Sequence, residues 1–140
     1  IAETEGAIGY IGAEYALALH IPSALLQNSS GRFVKADSKS IPASAQTEIP
    51  SDTRVSITHS PDPDAYPIST FTWIIVYKEQ HYNKRTKVNA EALADLLSYI
   101  VSDEGQTLAT KTYYAPLPES ARETANAIIR SITFDGKELK

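Results

Sequence analysis

The sequence predicts an α/β fold with a mixed sheet flanked by helices, on three observations. The run Trp73-Ile74-Ile75-Val76-Tyr77 is continuous, β-branched or aromatic, and apolar on both faces, the pattern of an interior strand covered above and below. Leu93, Leu96, Leu97, Ile100 and Val101 fall on one stripe at helical spacing. Strand-like and helix-like segments alternate along the chain, as they do where helices cover a sheet.

Taken in order, residues 7–11 read as a short strand whose glycine permits close approach of a neighbouring backbone. Residues 13–19 read as a short helix that Pro22 prevents from continuing. Residues 24–27 and 32–34 flank Asn28-Ser29-Ser30-Gly31, a cluster suited to a hairpin turn. Residues 38–46 read as a small helix, with Ser38 or Ser40 as cap and Pro42 confined to the first turn. Arg54-Val55-Ser56-Ile57-Thr58 alternates like a half-exposed strand. The following Ser60-Pro61-Asp62-Pro63-Asp64 excludes regular structure and is the best boundary candidate.

In the second half, residues 70–78 form the predicted interior strand, with Trp73 in its buried core. After the polar loop 81–87, the leucine stripe predicts a helix with Asn89 capping its first turn and Val88 stapled against Leu93. Gly105 interrupts the pattern, so a bent helical pair is expected, its second member running through Leu108 towards Tyr113-Tyr114. Pro118 suits the first position of a last helix, whose inward face is Ala121, Ala125, Ile128, Ile129 and Ile132. No internal repeat or low-complexity tract occurs.

Composition narrows the function classes. A chain of 140 residues with 42% hydrophobic and 21% charged residues suits one ordinary globular domain. Its formal charge of −4 comes from 17 acidic and 13 basic residues without a basic stripe, so nucleic acid is not an expected partner. The longest apolar run is too short to cross a bilayer, and no signal sequence opens the chain. The lack of cysteine excludes disulfides and thiolate metal sites and leaves the compartment open. With no methionine and a start at Ile1-Ala2-Glu3, the chain is expected to be a processed product, a designed piece or a fragment.

Catalytic motifs are not in evidence. Ser29, Ser56 and Ser69 have no Gly-x-Ser-x-Gly elbow and no suitably spaced histidine. His20, His59 and His81 form no His-Glu-x-x-His pair and read as surface or loop residues. Asp62 and Asp64 near His59 read as solvated linker. Gly6 and Gly9 do not complete a dinucleotide fingerprint, and no nucleotide phosphate loop is present. Asn28-Ser29-Ser30 matches a glycosylation sequon but reads better as a turn. No catalytic residue, metal ligand or cofactor is assigned.

The phrases Gly6-Ala7-Ile8-Gly9-Tyr10, Tyr66-Pro67-Ile68 and Tyr114-Ala115-Pro116-Leu117-Pro118, in this order and followed by Gly136-Lys137-Glu138-Leu139, carry a further signal. Together they resemble the C-terminal half of the phosphate-binding proteins of bacterial ABC transporters. The resemblance implies part of a two-lobed periplasmic-binding-protein-like fold. Residues 1–62 would be the later half of the second lobe, 63–70 a hinge crossing, and 71–140 the C-terminal part of the first lobe. It also implies a non-catalytic receptor in the periplasm or on the cell surface as a lipoprotein, with the export signal outside this chain. Its partners would be phosphate, ABC permease subunits and a missing N-terminal half.

The family's phosphate ligands come mainly from an early strand-to-helix loop and an Arg-x-Asp-x-Ser-Gly-Thr type segment, neither of which is found in this sequence. No phosphate-binding residue is therefore assigned here. Tyr66 and Pro67 are expected at the hinge seam, with Ser69 and Thr70 as hydroxyls standing behind the cleft. The alternative is an independent, non-catalytic interaction module that keeps the same half-fold without the anion site. In the receptor reading, uncovered strand edges suggest a homodimer of the chain in isolation, whereas the module would be a compact monomer.

Overall fold

The computed structural model describes residues 3–139. Along the chain these form α1 (Ala13–Ala18), β1 (Leu26–Gln27), β2 (Phe33–Val34), α2 (Ser40–Ala43), α3 (Lys87–Ile100), α4 (Asp103–Lys111), α5 (Glu119–Arg130), β3 (Thr133–Phe134) and β4 (Lys137–Glu138). Helices and small sheets occur together, in keeping with the α/β class. Among the described residues the expected mixed sheet is reduced to two antiparallel pairs, β1 with β2 and β3 with β4, plus one parallel bridge between Glu79 and Thr133.

The hairpin and helices follow the local chemistry. Gly31 at φ +77° closes the β1–β2 turn where a side chain would be strained. The short α2 is capped by neither Ser38 nor Ser40: the Asp37 carboxylate accepts the Lys39 and Ser40 amides, both at 2.9 Å. Thr86, not Asn89, caps α3, its hydroxyl accepting the Asn89 amide at 3.3 Å. Val88 then lies inside the helix and is exposed, so the expected staple to Leu93 does not form. The buried stripe of this helix is Ala90, Ala94 and Leu97, continued by Val101, and Leu96 faces solvent. Small residues let helices approach closely, and α3 packs against both α4 and α5.

The helical pair is bent as expected, although the break falls at Val101 and Ser102 rather than at Gly105. Ser102 caps α4 by accepting the Gly105 amide at 3.1 Å. Gly105 instead allows the turn to press on the end of α3, since a Cβ there would stand 2.2 Å from the Tyr99 carbonyl oxygen. Pro118 is the N-cap of α5, one position before its first helical residue. Of the expected inward face, Ala121 is buried within the helix, Ile132 is buried just beyond its end, and Ile128 is exposed.

The largest departure concerns the expected strands. Residues 7–11, 54–58 and 70–78 belong to no ladder among the described residues. Trp73, expected in a buried core, is 47% exposed; Ile75 is 93% and Tyr10 100% exposed. A run that is apolar on both faces needs neighbouring strands and covering helices, and the described residues supply neither.

Candidate functional site

The residues singled out for the hinge seam lie on a loop held by side chains from the β1–β2 turn and α2. Asn28, at the head of the turn, is buried and uses its whole amide. Its Oδ1 accepts the Ser30 and Arg32 amides at 3.1 and 3.0 Å, and its Nδ2 donates to the Pro63 and Ala65 carbonyls at 2.8 and 3.2 Å. Ser29 Oγ donates to the Ser60 carbonyl at 2.6 Å and Ser30 Oγ to that of Pro61 at 3.4 Å. Arg32 pairs with Asp64 at 2.7 Å, with both side chains more than half exposed. The sequon is therefore a structural turn, its asparagine nitrogen engaged and out of reach.

Prolines explain why this loop recruits side chains. Pro61 and Pro63 have no amide hydrogen to enter a ladder, yet each keeps a carbonyl that needs a donor. Asn28 and Ser30 supply those donors.

A second knot follows at once. The Tyr66 amide donates to the Ser40 carbonyl at 3.0 Å, and the His59 amide to that of Pro67 at 2.9 Å. Ser44, wholly buried, has its Oγ 2.9 Å from the Tyr66 carbonyl, 3.1 Å from that of Ser40 and 3.0 Å from Ser69 Oγ. Ser69 Oγ donates to the Tyr66 carbonyl at 3.0 Å. Burial pushes the Tyr66 phenol above its ordinary pKa. Tyr66 and Ser69 are thus tied to the α2 segment through Ser40 and Ser44, and Pro67 beside them to His59. Thr70 is not: it is exposed, and its hydroxyl reaches only the Phe71 carbonyl, at 3.2 Å.

This arrangement holds a loop; it does not present donors to an anion. The hydroxyls above are spent on carbonyls or on one another. Among the described residues no buried side-chain nitrogen or oxygen lacks a partner. The open groove beside the loop, about 430 Å³, carries Asp37, Asp62 and Asp64 against Lys35 and Lys39, a balance that disfavours a negative ligand. Asp37 is held below its ordinary pKa, chiefly by the Ser40 amide, and stays charged. Among the described residues no three His, Asp or Glu side chains gather where a cation could sit. No helix there is long and apolar enough to cross a membrane.

Two residues that sequence reasoning passed over carry much of the remaining order. Glu79 accepts the His81, Asp135 and Gly136 amides at 2.8, 3.1 and 3.0 Å, and the Thr133 hydroxyl at 2.9 Å. The Asp135-Gly136 turn it closes has positive φ at both residues, as a tight hairpin requires. Thr53, also at positive φ, receives the Trp73 indole N–H on its carbonyl at 3.2 Å. Asp-Gly was a visible turn signal; nothing local marked Glu79 or Thr53.

Comparison with known proteins agrees with the architecture. A family model described as a PBP superfamily domain matches residues 1–104. The phosphate-binding protein PstS of Methanocaldococcus jannaschii is 26% identical over 138 residues, covering 91% of this chain and 36% of the relative. The phosphate-binding protein PstS of Xylella fastidiosa strain 9a5c is 31% identical over 122 residues, covering 84% of this chain and 32% of the relative. That of strain Temecula1 is 27% identical over 121 residues. The chain spans about a third of the length of the curated relatives it matches. A family model covering residues 1–104 is well over half of the sequence, and the chain belongs to the PBP superfamily.

Proposed function

We propose that this chain is part of a phosphate receptor that delivers the anion to an ABC permease, outside the cytoplasm and as a binding protein rather than an enzyme. The observation that carries this reading is the match to proteins named for phosphate binding over 84% to 91% of the chain. In this reading the main phosphate donors lie in the two-thirds of the receptor that these residues do not represent. The spent hydroxyls around Ser44 and Ser69 support that assignment. In this reading the lobes lie on either side of the Tyr66 loop, with the crossing placed later than the 63–70 that the resemblance implies. The side-chain bonds holding residues 60–69 favour a crossing at 70–77, after the loop.

Titration separates this from the interaction-module alternative. Dehydrating phosphate takes many directed donors in a closing cleft. The 140-residue chain should therefore bind phosphate weakly or not at all, and the chain joined to its upstream coding sequence should bind it tightly. Micromolar binding by the chain alone would move the site into these residues. An upstream sequence without an anion loop or export signal, and no binding by the joined protein, would favour the module.

A further inference from the structure

Among the described residues, the connector between the Tyr66 loop and the C-terminal helices has one polar tether back to the loop side. The Asn28, Ser44 and Ser69 networks tie residues 28–44 to residues 60–69, and the turn around Thr53 leaves and rejoins them between buried Ala45 and Ile57. On the other side, the Lys78 carbonyl accepts the Thr133 amide at 2.9 Å, and the Gln80 amide donates to Thr133 at 2.8 Å. Between them, residues 70–77 form no ladder among the described residues. What reaches back is the Trp73 indole, whose Nε1 donates to the Thr53 carbonyl.

The receiving loop is built for that position. Thr53 is β-branched and sits at φ +58°, a conformation that such residues avoid unless the surroundings impose it. The imposition is visible. The Thr53 amide donates to Pro50 at 2.8 Å, and the Val55 amide returns to the Thr53 carbonyl at 2.9 Å. Asp52 accepts the Arg54 amide at 3.0 Å and its Nε at 2.8 Å, clamping the turn. Phe71 meets the Trp73 ring edge to face at 6.2 Å, fixing the indole's direction.

We propose that Trp73 is a latch on the connector. Its bond to Thr53 sets the angle at which residues 70–77 leave the loop side, and rotation of one side against the other about Thr70 and Phe71 requires that bond to open. This rests on the reading that residues 70–77 cross between lobes. A tether on a carbonyl held out by a strained turn is directional but exposed, so it selects one angle without locking it.

The test uses the absence of native cysteine. Spin labels at Gln46→Cys and Glu123→Cys, both exposed, report the distance between the two sides by double electron–electron resonance. Dilution with unlabelled chain restricts the signal to one molecule. Trp73→Phe keeps the ring and removes the donor; circular dichroism checks that it stays folded. The expected result is one dominant distance in the parent and a broadened distribution in Trp73→Phe, the latched population falling roughly 2- to 10-fold in odds. Equal, broad distributions would overturn the latch and leave the crossing intact. Equal, narrow ones would overturn both, whatever phosphate titration says.

Discussion

The Glu79 carboxylate accepts the amide of Gly136, 57 residues further along the chain, at 3.0 Å. It joins the end of the connector to the turn of the C-terminal hairpin. Three amides and one hydroxyl converge on this carboxylate, and the hydrogen bonds, led by that from His81, hold its pKa at about 2, below the ordinary 4.5.

A depressed folded-state pKa means that the charged form stabilises the fold. That contribution is complete above the unfolded value of 4.5 and is lost as pH falls towards 2. Thermal unfolding followed by circular dichroism should therefore show the melting temperature dropping across that window. Glu79→Gln should melt lower than the parent at neutral pH and show a shallower acid dependence, because an amide cannot accept from four donors without presenting its own NH₂ to some of them. Equal slopes for the two proteins would remove Glu79 from the account.

Asn28 gives the corresponding prediction for the loop side. Its amide makes four bonds inside the fold, two accepted and two donated. Asn28→Ala leaves buried carbonyls and amides without partners, and urea unfolding should show a loss of about 2–4 kcal/mol. Asn28→Asp keeps the acceptor but turns a carboxylate oxygen towards the Pro63 and Ala65 carbonyls, so it should be at least as damaging as alanine. A mild aspartate and a severe alanine would mean that the donated bonds contribute little.

The helices were legible because their signals are local: a leucine stripe, a proline, and a turn cluster at Asn28-Ser29-Ser30-Gly31 lie within a few residues of what they determine. Strand pairing was not. The composition of residues 70–78 announces an interior strand, but a ladder needs a second strand, and no described residues supply one. The loop at 60–64 was marked as a boundary by its prolines, which remove amide donors. What proline content could not reveal is that the remaining carbonyls would be captured by Asn28 and Ser30, more than 30 residues earlier. Tyr66 and Ser69 were placed at the seam through the resemblance, and their partner Ser44 had no distinguishing sequence pattern.

Gly105 offers a case where helix propensity and packing oppose each other. In an exposed helix, glycine to alanine gains up to about 1 kcal/mol. Here a new Cβ would meet the Tyr99 and Ile100 carbonyl oxygens at 2.2 and 2.6 Å, backbone atoms at the end of α3 that cannot swing aside. Gly105→Ala should therefore destabilise by about 1–3 kcal/mol, the usual range for overpacking. An increase in the urea midpoint would show that the junction between α3 and α4 relaxes freely.

The isolated chain should also associate with itself. Ile8, Tyr10 and Ile75 are each at least 93% exposed, and they sit on two segments whose composition calls for sheet neighbours. Unpaired strand-forming segments and large apolar side chains in water favour pairing with whatever chain is available, and in a purified sample that is a second copy. A two-fold exchange, in which each copy offers residues 70–78 to the other, would cover the same apolar residues twice. Light scattering should show a mass rising with concentration towards that of a dimer. Ile75→Lys places a charge at the centre of the pairing segment and should return the chain to a monomer, while Val88→Lys, on an exposed face of α3, should not. A monomeric parent at every concentration would exclude exchange, and association that survives Ile75→Lys would assign it to another surface.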